Sequence, residues 1–188
     1  MPTPPSRLST SLARAASVVL VVVVIAIAAR ISFTLPIAAV PQSLQTVAVL
    51  GSVMLAGWIG VAGVFVYIVA GSAGLPIFAD GAAGLGHALG ASAGYLAGFF
   101  GAALWLILAD RLGMLRSFIG VLLAAVIGHI VILLAGTAGL LRWYGAADAW
   151  QQGFAPFSNG AAAKSLLLAA IVPLCRIWTH RGQAHAQE

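Results

Sequence analysis

Apolar stretches, separated by short polar or glycine-rich segments, make up most of this chain. A helix that crosses a membrane needs about 20 mainly apolar residues, and the pattern predicts six such helices, over residues 15–31, 43–60, 61–71, 94–109, 118–140 and 160–178. We therefore predict an all-α integral membrane protein with six transmembrane helices. Its membrane domain, residues 15–178, lies between polar tails at residues 1–14 and 179–188.

Two loops with almost no charge interrupt the apolar pattern. Pro36 and Pro41 break the first, residues 33–42, because proline removes a backbone donor and biases the preceding residue away from helical geometry. The second, residues 72–93, is rich in glycine, which permits tight turns and close approach of the backbone to a ligand. We predict that these two long loops cap a ligand cavity.

The composition supports a membrane protein and excludes several other classes. Hydrophobic residues make up 62% of the chain and charged residues 7%, against roughly 25% charged residues in a soluble domain. The single cysteine, Cys175, excludes an internal disulfide framework. The histidines lack metal-ligand spacing, and no phosphate-binding loop of the Walker type is present. We expect no metal, no cofactor and no ATP hydrolysis by this chain.

The positive charges are arranged as topology signals. The chain has nine Lys/Arg and four Asp/Glu, but it has no basic stripe with interleaved aromatic residues that would indicate nucleic-acid binding. With both termini in the cytoplasm, six arginines lie on the cytoplasmic side, namely Arg7, Arg14, Arg111, Arg116, Arg176 and Arg181. Arg30 and Arg142 lie outside. The positive-inside rule favours this orientation, which puts both capping loops on the outer face.

Lys164 is the strongest candidate for ligand binding. A lysine inside a membrane helix is costly unless it faces a cavity or a partner, or reaches the interface. We predict Asn159 as the cap of its helix, which would place Lys164 near the positive end of the helix dipole. Such a position favours an anion or a strongly polar acceptor.

Four further candidates lie in or next to the glycine-rich loop. Asp80 offers a carboxylate, although a helix cap or a solvated charge is an equally simple interpretation. Gly81 permits close backbone approach. Phe78 and Tyr95 have the shape to wall a flat ligand, and both also fit the role of interface anchors.

A protease is an alternative from a different class. Residues 90–94 read Gly-Ala-Ser-Ala-Gly, which fits the G-x-S-x-G pattern and resembles the serine motif of rhomboid intramembrane proteases. His129, on another predicted helix, would be the base that activates Ser92. The pattern arises easily in a chain with 22 glycines, so we expect no enzyme here.

The two loops and the last helix resemble the BioY family, the biotin-binding membrane subunits of bacterial vitamin importers. The resemblance rests on VPQSLQT at residues 40–46, on GLPIFADGAAG at residues 74–84, and on Gly160 and Lys164. It implies biotin as ligand, a multi-pass protein of the bacterial cytoplasmic membrane, and a retained first helix rather than a cleaved signal peptide. It also implies that Gln45 or Thr46 faces the cavity.

The resemblance is imperfect at the motif of the last helix. The family typically has Pro-Gly-Asp-x-x-Lys there, whereas this chain has Asn159 for the proline and Ala161 for the aspartate. Residues three apart share a helical face, so the paired acceptor is missing beside Lys164. Three interpretations stay open: Asp80 or Asn159 replaces the acceptor, the affinity is reduced, or the ligand is another small vitamin or carboxylate.

The resemblance also implies partners. Family members associate with a coupling protein and two ATPases of an energy-coupling-factor (ECF) module, and some lack that module. The first helix of the family meets the coupling protein through small residues four apart, whereas Ser17 to Ile27 here is dominated by valine. A solitary or homo-oligomeric mode in the lipid bilayer therefore stays open beside the ECF assembly.

Overall fold

The computed structural model describes residues 7–33 and 35–185, with side chains described for residues 10–33 and 35–176. This part of the chain folds into eight α-helices: α1 Arg7–Arg30, α2 Gln45–Ala56, α3 Trp58–Ser72, α4 Gly84–Leu89, α5 Ala93–Arg111, α6 Phe118–Leu140, α7 Ala146–Gly153 and α8 Ala155–His185. A two-residue antiparallel pair joins β1 Ser32–Phe33 to β2 Gln42–Ser43. The prediction of an all-helical protein is confirmed.

Four of the described segments are long and apolar enough to cross a membrane. They are Thr10–Arg30, Ala93–Arg111, Phe118–Leu140 and Ala146–Arg176, whereas α2 and α3 are shorter apolar helices. Each long segment turns many large apolar side chains outward, as in α1, where Leu20 and Ile27 are more than half exposed. Because a bilayer solvates such surfaces and water does not, the fold is that of a multi-pass membrane protein.

The boundaries of the middle helices follow from glycine and proline. The second and third helices were predicted over residues 43–60 and 61–71, but the break comes earlier, at Gly57, whose φ of +57° is costly for a residue with a Cβ. The segment with Pro36 and Pro41 contains no described helix, as predicted. The 72–93 loop contains more regular structure than predicted, namely α4 and a 3₁₀ turn over Ala79–Gly81.

The prediction was wrong for the region before the last helix. A loop was expected over residues 141–159, but α7 lies within it and α8 begins at Ala155. Proline is tolerated in the first turn of a helix, where its missing N–H has no intrahelical partner, and Pro156 occupies this position. Asn159 is therefore inside α8, so the prediction that it caps the helix was also wrong.

Small residues let α5 and α6 pack closely. A Cβ added at Gly94 or Gly98 would collide with the backbone of α6 at Ala135 or Ile132. The ring of Tyr95 lies against Gly136 in the same way. Close backbone approach of this kind is how membrane helices gain packing energy without a hydrophobic driving force. The α5–α6 pair is thus closely packed, and both helices contribute residues to the lining of the cleft described below.

Polar contacts tie the helix ends together at two opposite ends of the bundle. At the first, here the Arg176 end, the guanidinium of Arg176 donates to Met54 O at 2.8 Å and pairs with Asp110 at 2.9 Å. At the second, the Arg30 end, Arg30 donates to Pro76 O at 2.5 Å, and the backbone N–H of Ala39 donates to Gln152 O at 3.1 Å. The two loops, residues 33–42 and 72–93, both lie at the Arg30 end.

Candidate functional site

A cleft lies near the Arg30 end, between the two loops and helices α2, α5, α6 and α8. It encloses about 690 Å³ of space free of protein atoms, a volume that includes its open mouth and the solvent there. Its polar lining consists of Gln42, Ser43, Gln45, Thr46, His87, Ser92, His129 and Lys164. Its aromatic lining consists of Phe78, Tyr95, Phe99 and Phe157. An apolar pocket with a few polar groups is the usual form of a small-molecule site.

Lys164 reaches the cleft from α8 and closes one side of it. Its Nζ donates a hydrogen bond of 2.6 Å to the carbonyl oxygen of Ser43, in β2. An ammonium has three donors, so further donors remain for a ligand. Because α8 begins at Ala155, Lys164 lies in the third turn, farther from the positive end of the helix dipole than the sequence predicted. The effect of the helix dipole falls off within the first turn, so the dipole contributes less at Lys164 than the sequence predicted.

Gln45, the first residue of α2, is held in place by a hydrogen bond to α3. Gln45 Nε2 donates to Tyr67 Oη at 2.8 Å, and Tyr67 Oη donates to Ile77 O at the same distance. These two hydrogen bonds join the start of α2 to the glycine-rich loop through the buried Tyr67. Gln42, 6% exposed, lies against Gly160 so closely that a Cβ at Gly160 would overlap its side-chain amide. The position of Gln42 thus requires glycine in α8.

His129 connects three helices at the base of the cleft. Its Nε2 is 3.2 Å from Thr46 Oγ1 of α2, and its Nδ1 is 3.0 Å from both Ala125 O of α6 and Ser165 Oγ of α8. Ser165 in turn donates to Ala161 O at 2.8 Å. Both ring nitrogens are engaged by these partners, so Ser92 and His129 line the same cleft without forming the hydrogen-bonded pair that a serine protease needs. The protease alternative is not favoured.

Aromatic rings form the two side walls. Phe78 packs edge-on against Tyr67 and stacks on His87, with ring centroids 5.6 and 5.2 Å apart. Tyr95 meets Phe157 at 6.0 Å and donates from its hydroxyl to Gly153 O at 2.7 Å. Burial lowers the pKa of His87 below its ordinary value, so its ring is neutral at pH 7. These walls give the cleft flat, apolar faces.

The structure brings five of the eight candidates together and leaves three outside. Lys164, Phe78, Tyr95, Gln45 and Thr46 line the cleft, whereas Asn159, Asp80 and Gly81 do not. Asn159 is exposed on α8.

Asp80 has a φ of +53° and accepts a hydrogen bond from Ser32 Oγ, and Gly81 lies beside the guanidinium of Arg30. The Asp80–Gly81 turn fastens the second loop to the end of α1.

Gln42, Ser43 and Ser165 were not selected from the sequence. Gln42 and Ser43 stand in the same VPQSLQT run as Gln45 and Thr46, so the run itself was the signal. Ser165 follows Lys164 directly, but nothing in its local sequence marks it. Among the described residues, no group of three His, Cys, Asp or Glu side chains is placed to hold a metal ion.

Comparison with known proteins identifies the family. Curated proteins give no match. Among solved structures, the chain is similar to a crystal structure described as the S-component for biotin from an ECF-type ABC transporter, with a TM-score of 0.78. The two share 19% identity, and the match covers 92% of this chain and 95% of that chain. At this identity the similarity is one of fold. The sequence model of the BioY family matches residues 4–182. The chain therefore belongs to the BioY family.

Proposed function

We propose that this protein is the membrane subunit that captures biotin for uptake into the cytoplasm. The observation that carries the proposal is that the segments bearing the family resemblance converge on one cleft, with Lys164 directed into it. Family membership and the fold shared with a biotin S-component support the assignment. In this function the chain binds and carries its ligand and is not an enzyme.

The chemistry of the cleft suits a small bicyclic urea with an acidic chain. Lys164 supplies donors for a urea oxygen or a carboxylate, and the amides of Gln42 and Gln45 add neutral hydrogen-bonding groups. Phe78 and Phe157 provide apolar faces for the fused rings and the aliphatic chain. We propose Lys164, Gln42, Gln45, Thr46, Phe78 and Tyr95 as ligand contacts. Asp80 and Gly81 are proposed to act indirectly, by fastening the second loop to the end of α1, and Asn159 is not proposed as a contact.

The substrate test is the identity of the ligand that the protein retains. Gentle purification from cells grown with biotin, followed by native mass spectrometry, is expected to show a complex with the mass of one biotin. Biotin added to ligand-free protein should restore that mass. A different retained vitamin or carboxylate would support the second candidate, a carrier for another small ligand. That candidate is favoured by one observation, the side chain of Ala161 at the cleft.

Replacing Gly160 by alanine is expected to weaken biotin binding without destabilising the helix. Alanine favours a helix over glycine by about 1 kcal/mol, but the new Cβ would push the Gln42 amide away from the cleft wall. The expected loss is roughly 2- to 10-fold in affinity, the worth of one neutral hydrogen bond.

Gly86→Ala is the matched control for Gly160→Ala, because a Cβ at Gly86 meets nothing within 4 Å. Affinity for biotin should be measured together with thermal stability in detergent. Equal affinities in the two variants would show that Gln42 does not shape the site.

We propose six membrane crossings with the Arg176 end in the cytoplasm. The contacts at the two ends support an alternation in which α1, α3 and α6 run toward the Arg30 end, and α2, α5 and α8 run back. Helices α2 and α3 are short, so the bilayer must thin or the loop of residues 31–44 must complete the span of α2. Arginines concentrate at the Arg176 end, which the positive-inside rule places in the cytoplasm.

Cysteine labelling tests this orientation. In a Cys175→Ser background, Ala147→Cys is expected to react with an impermeant thiol reagent on intact cells, and Leu112→Cys only after permeabilisation. Both positions are exposed in the structure, so access to the reagent depends on the side of the membrane. The reverse labelling pattern would invert the topology and place the cleft on the cytoplasmic side.

We propose an ECF coupling module as the energy source, because the sequence contains no ATP-binding loop of its own. The exposed apolar face of α1, with Val19, Val23 and Ile27, is available to the lipid bilayer or to a partner helix. A homo-oligomer is the alternative assembly. Co-purification with the coupling protein and its ATPases distinguishes the two, and the bacterial cytoplasmic membrane is the proposed location.

A further inference from the structure

A directed line of hydrogen bonds runs from α8 through α6 to the cleft. It consists of Ser165 Oγ, the imidazole of His129 and Thr46 Oγ1, at successive distances of 3.0 and 3.2 Å. Thr46 and His129 both line the cleft, and Ser165 is fully buried. The proposed function names Thr46 as a ligand contact but gives no role to His129 or Ser165.

The carbonyl oxygen of Ala125 fixes which ring nitrogen of His129 carries the hydrogen. A carbonyl oxygen can only accept, and it lies 3.0 Å from Nδ1, so Nδ1 is the donor. The hydrogen bonds of Ser165 lead to the same assignment. Ser165 Oγ donates its own hydrogen to Ala161 O, so it can only accept from Nδ1. Two independent partners thus require the same tautomer.

The imidazole of His129 is neutral. It is 3% exposed, and none of the described carboxylates hydrogen-bonds to it. A buried charge without an acidic partner is expensive, and Lys164 in the same cleft opposes a second positive charge. Nε2 therefore carries a lone pair and accepts the hydrogen of the Thr46 hydroxyl.

We propose that Thr46 Oγ1 is a fixed hydrogen-bond acceptor for an N–H group of the ligand, and that His129 and Ser165 are the residues that position it. Because the Thr46 hydrogen is held by His129, the oxygen turns its lone pairs to the cleft. With Lys164 as donor, the site then matches a ligand that carries an N–H next to an acceptor oxygen, as a cyclic urea does. This inference rests on the proposed function, with biotin as ligand.

The test pairs a change in the protein with a change in the ligand. Thr46→Val removes the hydroxyl and keeps the shape, and two biotin analogues, each methylated at one ureido nitrogen, remove one N–H at a time. Thr46→Val is expected to weaken biotin binding about 2- to 10-fold, the worth of a neutral hydrogen bond. For one of the two analogues, methylation should reduce the affinity more in the wild type than in Thr46→Val. Any steric cost of the methyl group is common to both proteins and cancels in this double-mutant cycle.

Three further variants separate recognition from folding. Thr46→Ser keeps the hydroxyl and should restore the coupling to the N–H. Thr137→Val removes another buried threonine hydroxyl, which has no hydrogen-bond partner among the described residues, and should leave biotin affinity unchanged. His129→Phe keeps a ring but loses Nε2, so the coupling between Thr46 and the ligand N–H should shrink. Thermal melting of each variant shows whether it is folded.

The outcomes distinguish this inference from the proposed function. Coupling in the wild type that is lost in Thr46→Val and reduced in His129→Phe supports the assignment. Biotin binding with additive effects of both changes overturns the role of Thr46 while leaving biotin as ligand. Undiminished coupling in His129→Phe overturns the positioning role of His129. Failure of the wild type to bind biotin at all overturns the proposed function and this inference with it.

Discussion

Replacing Lys164 by methionine is expected to weaken biotin binding by about 1.5 to 3 kcal/mol, the usual worth of a hydrogen bond to a charged group, or roughly 10- to 150-fold. Methionine preserves much of the length and apolar surface of the side chain. The loss has two sources: the donor to the ligand, and the 2.6 Å hydrogen bond that holds Ser43 O at the edge of the cleft. Equilibrium binding of labelled biotin to purified protein measures the effect.

Arg142→Met is the charge-matched control for Lys164→Met. It removes one positive charge from the loop that follows α6, and Arg142 does not line the cleft. We expect wild-type affinity in this variant. Comparable losses in both variants would mean that the overall positive charge, and not a local contact of Lys164, attracts the ligand.

Replacing Arg176 by methionine is expected to give the largest loss of stability. Its guanidinium donates to Met54 O from Nε and Nη2, to Leu115 O from Nη1, and pairs with Asp110. Removing it leaves acceptors at the ends of three segments without this donor, at a cost of about 1 to 3 kcal/mol. A clear fall in melting temperature in detergent is the expected result, with biotin affinity changed much less because the cleft lies at the opposite end.

Arg111→Met provides the comparison for Arg176→Met. Arg111 is exposed at the same end of the bundle, next to Asp110, so both variants lose one cytoplasmic positive charge under the proposed topology. An exposed substitution of this kind usually changes stability by less than about 0.5 kcal/mol. A similar fall in melting temperature in both would contradict the proposed role of Arg176 in joining the helix ends.

The parts of the fold that were predictable are those set by local pattern. Helix α6 was predicted over residues 118–140 and found at those bounds, because a charged turn before it and a polar segment after it delimit one uninterrupted apolar run. The loop of residues 33–42 was also predictable from local pattern, because Pro36 and Pro41 interrupt the apolar run there. The BioY resemblance, confirmed by the family match over residues 4–182, was likewise contained in short runs of adjacent residues.

The parts that were not predictable depend on contacts between distant residues. Lys164 and Ser43 are 121 positions apart, and no local pattern records that one donates to the other. Asp80 was a candidate ligand group from sequence, although weaker than Lys164 because a helix cap or a solvated charge also explained it. The left-handed turn at Asp80 and its contact with Ser32 direct it to the end of α1 instead.

The prediction of where α8 begins was wrong for a different reason. A glycine at position 160 resembled a helix boundary, whereas the physical requirement was space for Gln42. His129 shows the same limitation, since its three partners on three helices became visible only once the helices were packed.

Biotin is proposed to bind in the cleft beside Lys164. Isothermal titration of biotin into the purified protein in detergent, without any partner subunit, tests it most directly. We expect saturable one-to-one binding to the wild type and a roughly 10- to 150-fold lower affinity for Lys164→Met, as the roughly 1.5 to 3 kcal/mol of a charged hydrogen bond requires. Absence of binding heat and of a thermal shift at millimolar biotin, or equal affinity in Lys164→Met, would contradict it.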